Sequence, residues 1–480
     1  MNTGKRLSLG KKLGYSAGIF SDTLGYSMFY SYFFTFLTSI VGVGAAAAGI
    51  ISSIGILWDG ITDPIIGYIA DGKPHRRRKM IMWTSIPYAL AVVLTYVAVD
   101  FGSVGNVIYY TLCALAFWLF YTTVCVPYYS AVPELTPDYD ERTGLRSFTA
   151  WINSFANLIT LACPMLLVQF FGTYTKTPAG GWTATAALFG VIIIIAAFIC
   201  SHTLKKAEDE QRAAGIETQQ VEREKLPLGQ TIVNLLKEFI EILTLKPVLI
   251  LFSSIVIVNI FRAFTSTGFT TYMIYCLGWG ADKISLGYAV LIASWLLYFP
   301  LVDIACKKWD RKACLVGGAL ITLVGRTILG FMPFVNTTFG CYLNIFLSNF
   351  QQCTYLALCF AMPYDLAELY EYKHNGLRAD STIQSVPFMA QKIGAALGAL
   401  VWGLASDAAG FDAAIGAQSA ETVKSITMSF CVWINVFLLV FVVILHFYKV
   451  NREKTAALQE ANLARREGRE FSTEAFADLL

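Results

Sequence analysis

Asp59 and Asp63 stand one helical turn apart inside the apolar stretch 50–70. An aspartate at the centre of a bilayer costs about 2.5 to 3.5 kcal/mol, so the pair costs roughly 5 to 7 kcal/mol and must serve a purpose. The i, i+4 spacing puts both carboxylates on one helical face, about 40° apart around the axis. Two anions held that close repel unless a cation or a proton sits between them. They therefore read as the candidate metal ligands of a monovalent cation, Na⁺ or H⁺, that couples transport. Thr62 beside them and Thr122 in a later apolar stretch add neutral oxygens, which Na⁺ prefers. Lys392, inside the stretch 388–398, needs acids to offset its burial and is assigned to the same ion site.

Asp22, within 19–36, is a second intramembrane acid and reads as a substrate or ion contact. Tyr26, Phe29, Tyr30, Tyr121, Tyr128 and Tyr129 fall on the same two stretches as Asp22 and Thr122. A sugar lays its apolar face on such a ring while an acid takes its hydroxyls, so Tyr129 and Tyr121 are candidate substrate contacts. Pro127 should loosen the stretch there and free backbone groups. Arg262, one turn after Asn259, either holds two halves of the molecule together or meets an acidic or polar substrate. Glu134, Asp138, Asp140, Glu141, Arg142 and Arg146 form one charged cluster, and Asp365, Glu368, Glu371 and Arg378 another. Charges near the membrane interface are cheaper than central ones. Glu134, Asp138, Arg142, Asp365 and Glu368 accordingly read as gate residues in salt-bridge networks rather than as ligands.

These residues need elements that cross a membrane. Of 480 residues 56% are hydrophobic and 14% charged, the composition of a polytopic membrane protein. Apolar stretches near 20 residues or longer, enough for about 30 Å of hydrocarbon, occupy 13–40, 45–70, 80–99, 104–132, 145–172 and 182–202. After a polar interval come 247–277, 284–306, 313–335, 338–369, 381–405 and 423–447. The expected fold is an all-α membrane protein with twelve transmembrane helices as two six-helix bundles. Residues 1–204 are the first bundle, 205–245 a linker whose 228–243 segment is amphipathic along the membrane face, 246–448 the second bundle and 449–480 a charged tail. The tail is expected as a surface helix or as disordered chain, and no function is given to it.

Lys and Arg alternate strictly between the loops, which puts both termini in the cytosol by the positive-inside rule. The start of the chain is basic without a cleavable signal pattern, so the first stretch is expected to remain as a span. The second span of each half ends in an acid followed by a basic turn, a weak internal repeat. Cysteines such as Cys113, Cys163, Cys276, Cys341, Cys359 and Cys431 lie unpaired in apolar stretches and read as small buried hydrophobes. All four histidines fall at cytosolic ends, which argues against a proton relay across the bilayer.

Several motifs together resemble the glycoside, pentoside and hexuronide cation symporters, the group that contains melibiose permease. They are WDGITDP around Asp59 and Asp63, the run from Pro127 to Pro133 followed by Glu134 and DYDERT, and YDLAELYEYK before Lys392. The resemblance implies a major facilitator fold with a central cavity opened alternately to each side. It implies Asp59 and Asp63 as cation carboxylates, Thr62 and Thr122 as neutral cation contacts, Lys392 as a matching lysine and Asp22 as a sugar-binding acid. Where melibiose permease has a lysine before that acid this chain has Ser21. Its fourth-helix acid is Cys125 here, the neighbouring tryptophan is Tyr129 and a fifth-helix arginine is Ala150. Cys125 is carried over as a substrate position, although these replacements remove most of the charged partners for sugar hydroxyls.

The expected function is secondary active symport of a sugar, glycoside or uronide with Na⁺ or H⁺. A carrier of amphipathic or lipid-like substrates on the same fold is the alternative, suggested by the reduced charge around Cys125, and a membrane nutrient sensor is a more distant one. The sequence has no Ser/His/Asp set, no HExxH and no phosphate loop, so no enzyme is expected. Expected partners are a small-molecule substrate, a monovalent cation and the lipid bilayer of the plasma (inner) membrane. No cofactor and no nucleic acid are expected, and the protein is expected to be monomeric.

Overall fold

The computed structural model describes residues 7–71, 76–135, 139–213, 228–359, 361–374 and 380–479. Nine helices there are long and apolar enough to cross a membrane. They are α4 (Ala45–Asp71), α6 (Gly102–Ser130), α8 (Tyr139–Thr175), α9 (Pro178–Ala213), α11 (Lys246–Tyr275), α12 (Ala281–Lys308), α13 (Arg311–Gly330) and α16 (Asp380–Ala408), with α17 (Ala420–Cys431) and α18 (Val436–His446) forming the ninth.

The other three apolar stretches are helical but interrupted or more polar. The first runs as α1 (Leu9–Ser16), α2 (Ile19–Met28) and α3 (Phe34–Phe36), with π turns at Phe29–Phe33 and Leu37–Val41. The third is α5 (Arg76–Thr95), opened by Arg76, Arg77, Arg78 and Lys79. The tenth, expected as one span over 338–369, is instead α14 (Thr338–Leu358) followed by α15 (Met362–Lys373). Pro363 in the first turn of α15 explains that split, since a proline is at home where the N–H has no helical partner.

Three other sequence boundaries shift. The linker is expected from residue 205, yet α9 continues to Ala213. Its last turns are rich in Lys, Glu and Ala, strong helix formers, and Lys11 and Arg78 pair with Glu210 and Glu208 there. Pro127 does not break its helix: α6 is continuous to Ser130 with the proline in the last turn. The tail is ordered as α19 (Arg452–Arg466), capped by the Asn451 side chain on the Lys454 amide. Between α7 (Val132–Leu135) and the second half, α10 (Leu228–Thr244) matches the amphipathic segment expected over 228–243.

Two compact units emerge. In the first, α4 and α5 pack on α6, and α9 packs on α5 and α8. Gly55 permits the close approach of α4 to α6, because a Cβ there would stand 2.8 Å from Trp118 Cδ1 and 3.1 Å from Ala114 Cβ. This unit also holds residues 266–292 and 402–418. Thr271 meets Thr35 at 3.1 Å, Thr270 donates to the Ser31 carbonyl at 2.8 Å, and Tyr275 donates to Ser39 at 2.9 Å. In the second unit α13 packs on α14, α17 and α18, and α19 packs on α15.

Candidate transport site

Helix α6 carries the site in the first unit. Thr122 is fully buried, and its hydroxyl is within donating distance of Asp59 Oδ1 at 2.6 Å and of Asp63 Oδ1 at 3.1 Å. Thr62 Oγ1 lies 3.5 Å from Thr122 Oγ1 and donates to the Asp59 carbonyl at 3.1 Å. Side-chain oxygens from two acids and two threonines thus converge from two helices. Asp59 is only 4% exposed, so the cluster sits where a carboxylate charge needs compensation most. Among the described residues no group of three or more His, Cys, Asp or Glu is arranged to hold a metal ion. Neutral hydroxyls complete the acidic pair, a donor set suited to a hard monovalent cation or a shared proton.

Within two turns of Thr122, the same helix turns a second stripe toward Asp22. Tyr121 donates to Asp22 Oδ1 at 2.5 Å, Tyr129 to Oδ2 at 2.5 Å, and the Cys125 thiol lies 3.6 Å from Oδ1. Positions 121, 125 and 129 are i, i+4 and i+8, one face of a helix. An aromatic wall backs this face: Tyr26 stands 6.2 Å from Tyr121 and 6.1 Å from Trp118, centroid to centroid. Tyr129 is 48% exposed, so the acid's hydroxyl shell remains reachable.

Arg262 lies on α11 in the second unit. It donates to Gln352 Oε1 at 2.6 Å and to Asn259 Oδ1 at 2.5 Å, and its guanidinium sits 4.7 Å from the centre of the Tyr355 ring. Asn259 Nδ2 donates to the Tyr355 hydroxyl at 2.8 Å. Lys392 is half-buried on α16, also in the second unit. Of the gate candidates, Asp365 pairs with Arg311 at 2.6 Å, and Glu368 accepts from Asn462 of the tail at 3.1 Å. Asp138 lies outside the described residues, as do the side chains of Glu134 and Arg142.

Arg326 is a buried polar residue that the sequence motifs do not single out. It is fully buried on α13, donates to the Phe430 carbonyl and lies over the rings of Phe261 and Phe430 at 5.1 and 5.3 Å. Its signal is a lone base inside the apolar stretch 313–335. Gln352 and Asn462 carry no such signal, being uncharged.

The chain matches the MFS/sugar transport protein family over residues 14–452. It is 24% identical over 458 residues to the uncharacterized symporter YnaJ of Bacillus subtilis, covering 94% of each chain. It is 24% identical over 456 residues to the isoprimeverose transporter of Lactiplantibacillus pentosus, covering 92% of this chain and 89% of that one. Among solved structures it superposes on a D-xylose-proton symporter with a TM-score of 0.60 at 14% identity, over 92% and 96% of the two chains. The inward-open xylose transporter XylE of E. coli gives 0.62 at 13% identity, over 94% and 98%. With an all-α fold of the major facilitator type and nine described helices long and apolar enough to cross a membrane, the chain belongs to the MFS/sugar transport protein family and is a multi-pass membrane transporter of the glycoside, pentoside and hexuronide symporter kind, not an enzyme.

Proposed function

We propose that this protein moves a sugar or glycoside across the plasma membrane together with Na⁺ or H⁺, with both termini in the cytosol and one chain as the working unit. The observation that carries the reading is that one helix serves both sites. Thr122 of α6 touches Asp59 and Asp63, while Tyr121, Cys125 and Tyr129 of the same helix touch Asp22. A cation between the two carboxylates draws α4 and α6 together and fixes the rotation of α6. That rotation aims the Tyr121 and Tyr129 hydroxyls at Asp22. An empty acidic pair repels, loosens α6 and weakens the substrate site, which is coupling in the thermodynamic sense, and the substrate must strengthen cation binding by the same factor.

The relatives' names, a symporter and an isoprimeverose transporter, support a saccharide cargo. Arg262, held by Gln352 and Asn259, is proposed to meet a polar group of the substrate. Asp365 with Arg311, and Glu368 with Asn462, are proposed as inner gate contacts. Purified protein in liposomes, given a panel of glycosides, pentosides and uronides under imposed Na⁺ or H⁺ gradients, tests the assignment. Asp59→Asn and Asp63→Asn are expected to abolish gradient-driven accumulation while leaving substrate exchange measurable. Concentrative uptake at the wild-type level in both variants overturns the ion site.

A further inference from the structure

We infer that the first unit holds a pocket for the apolar aglycone of a glycoside, set beside the acid that takes the sugar hydroxyls. The inference rests on the reading of the chain as a glycoside carrier. A cavity of about 210 Å³ opens between α1, α2, α6 and α8. Its walls are the faces of Tyr15 and Tyr128, stacked at 4.7 Å and 18°, with Ile19, Val132, the Ala150 methyl and the Tyr129 ring.

Two polar atoms of its wall, the Thr149 hydroxyl and Asn153 Oδ1, are already engaged, and the rest of the wall is mostly apolar. The Thr149 hydroxyl is 2.8 Å from that of Ser16, and Asn153 Oδ1 accepts from Thr23 at 2.9 Å and from Asn157 at 3.1 Å. A pyranose in this space would leave several hydroxyls short of partners, at about 1 to 3 kcal/mol each. An aromatic ring leaves none. The size agrees, since an apolar cavity of about 150 Å³ already takes benzene, and the additional volume suits a substituent or the linking oxygen.

Tyr129 joins the two compartments. Its hydroxyl is on Asp22 and its ring is cavity wall, so a glycosidic bond running past Tyr129 puts the sugar at Asp22 and the aglycone in the pocket. Ala150 keeps the space open, because any larger side chain there would project into it.

Matched pairs of methyl and phenyl glycosides on galactose, xylose and glucuronic acid, each in both anomers, test this with the full chain in liposomes. On whichever glycone is carried, the phenyl form is expected to compete at least tenfold better than the methyl form. Ala150→Leu is expected to shrink that ratio toward one, and Ile19→Ala to shift preference from phenyl toward naphthyl. A ratio near one in the wild type, or a ratio untouched by Ala150→Leu, Val132→Phe and Ile19→Ala alike, overturns the pocket while leaving sugar transport intact. If the wild type carries no glycone of the panel, the proposed function itself falls, and the pocket with it.

Discussion

A single hydroxyl proton at Thr122 faces two carboxylates, 2.6 and 3.1 Å away, and can satisfy one of them at a time. Two carboxylates held around one hydroxyl repel each other, and a cation seated between them relieves that repulsion. Thr122→Val keeps the volume and removes the oxygen. A hydrogen bond to a charged group is worth about 1.5 to 3 kcal/mol, so the cation concentration giving half-maximal uptake is expected to rise roughly 10- to 100-fold. Uptake measured against cation concentration at fixed substrate reads this directly, and an unchanged midpoint removes Thr122 from the site. The acidic pair is legible in the sequence because intramembrane acids are few and costly, so each announces itself. The grouping of Tyr121, Cys125 and Tyr129 on Asp22 is legible only in part: their spacing gives a common face, but not which acid that face meets. Gln352 and Asn462 are not legible, because neutral amides cost too little to stand out against a polar loop or a tail.

Helices α4 and α6 come close enough to share Thr122 only because Gly55 has no side chain, one turn before Asp59. Gly55→Leu would drive a branched side chain against Trp118 and Ala114, force the helices apart and lengthen the Thr122 contacts. Cation-stimulated uptake is expected to fall by at least tenfold while substrate exchange survives. The reverse pattern, with exchange abolished and cation response kept, would detach the helix contact from the ion site. Apolar length is enough to read most spans, whereas α14 and α15 merge in the sequence because the amino acids across residue 360 stay apolar. The tail is illegible for a different reason: its apolar groups are scattered among charges and find order against α15. There Arg465 donates to the Tyr372 carbonyl at 2.7 Å and lies 4.4 Å from that ring's centre, with Phe476 5.0 Å from it. Lys454 donates to Asp478 at 2.7 Å and holds its carboxyl below its ordinary value of 3.8. A depressed carboxyl contributes stability above its unfolded value, and loses it as pH falls through the folded one. Protease protection of residues 452–479 is therefore expected to hold from about pH 8 to 5 and to decline below about pH 4, a window set by the ordinary carboxyl value. A loss of protection already at about pH 6 would contradict this pair's role, the carboxyl being fully ionised there.

At the scale of the whole molecule the sites make a statement about charge. With Asp59 and Asp63 as the cation's seat, a neutral glycoside loaded beside one cation moves one net positive charge per cycle. Membrane voltage then acts on the loaded step with about 2.3 kcal/mol per elementary charge per 100 mV. At about 1.4 kcal/mol per tenfold, that amounts to roughly fifty-fold accumulation for 100 mV inside negative, with no chemical gradient of the cation. Liposomes loaded with K⁺ and treated with valinomycin supply the voltage, and radiolabelled methyl or phenyl glycoside reports the accumulation. Voltage-driven accumulation is expected for a neutral glycoside. For a glucuronide it should vanish, because the substrate's own negative charge cancels that of the cation. Equal response to both substrates would mean that the glucuronide crosses with an additional positive charge, so that the stoichiometry of one cation per cargo fails. Response to neither, in protein that still exchanges substrate, would mean that the acidic pair carries no cation across with the cargo.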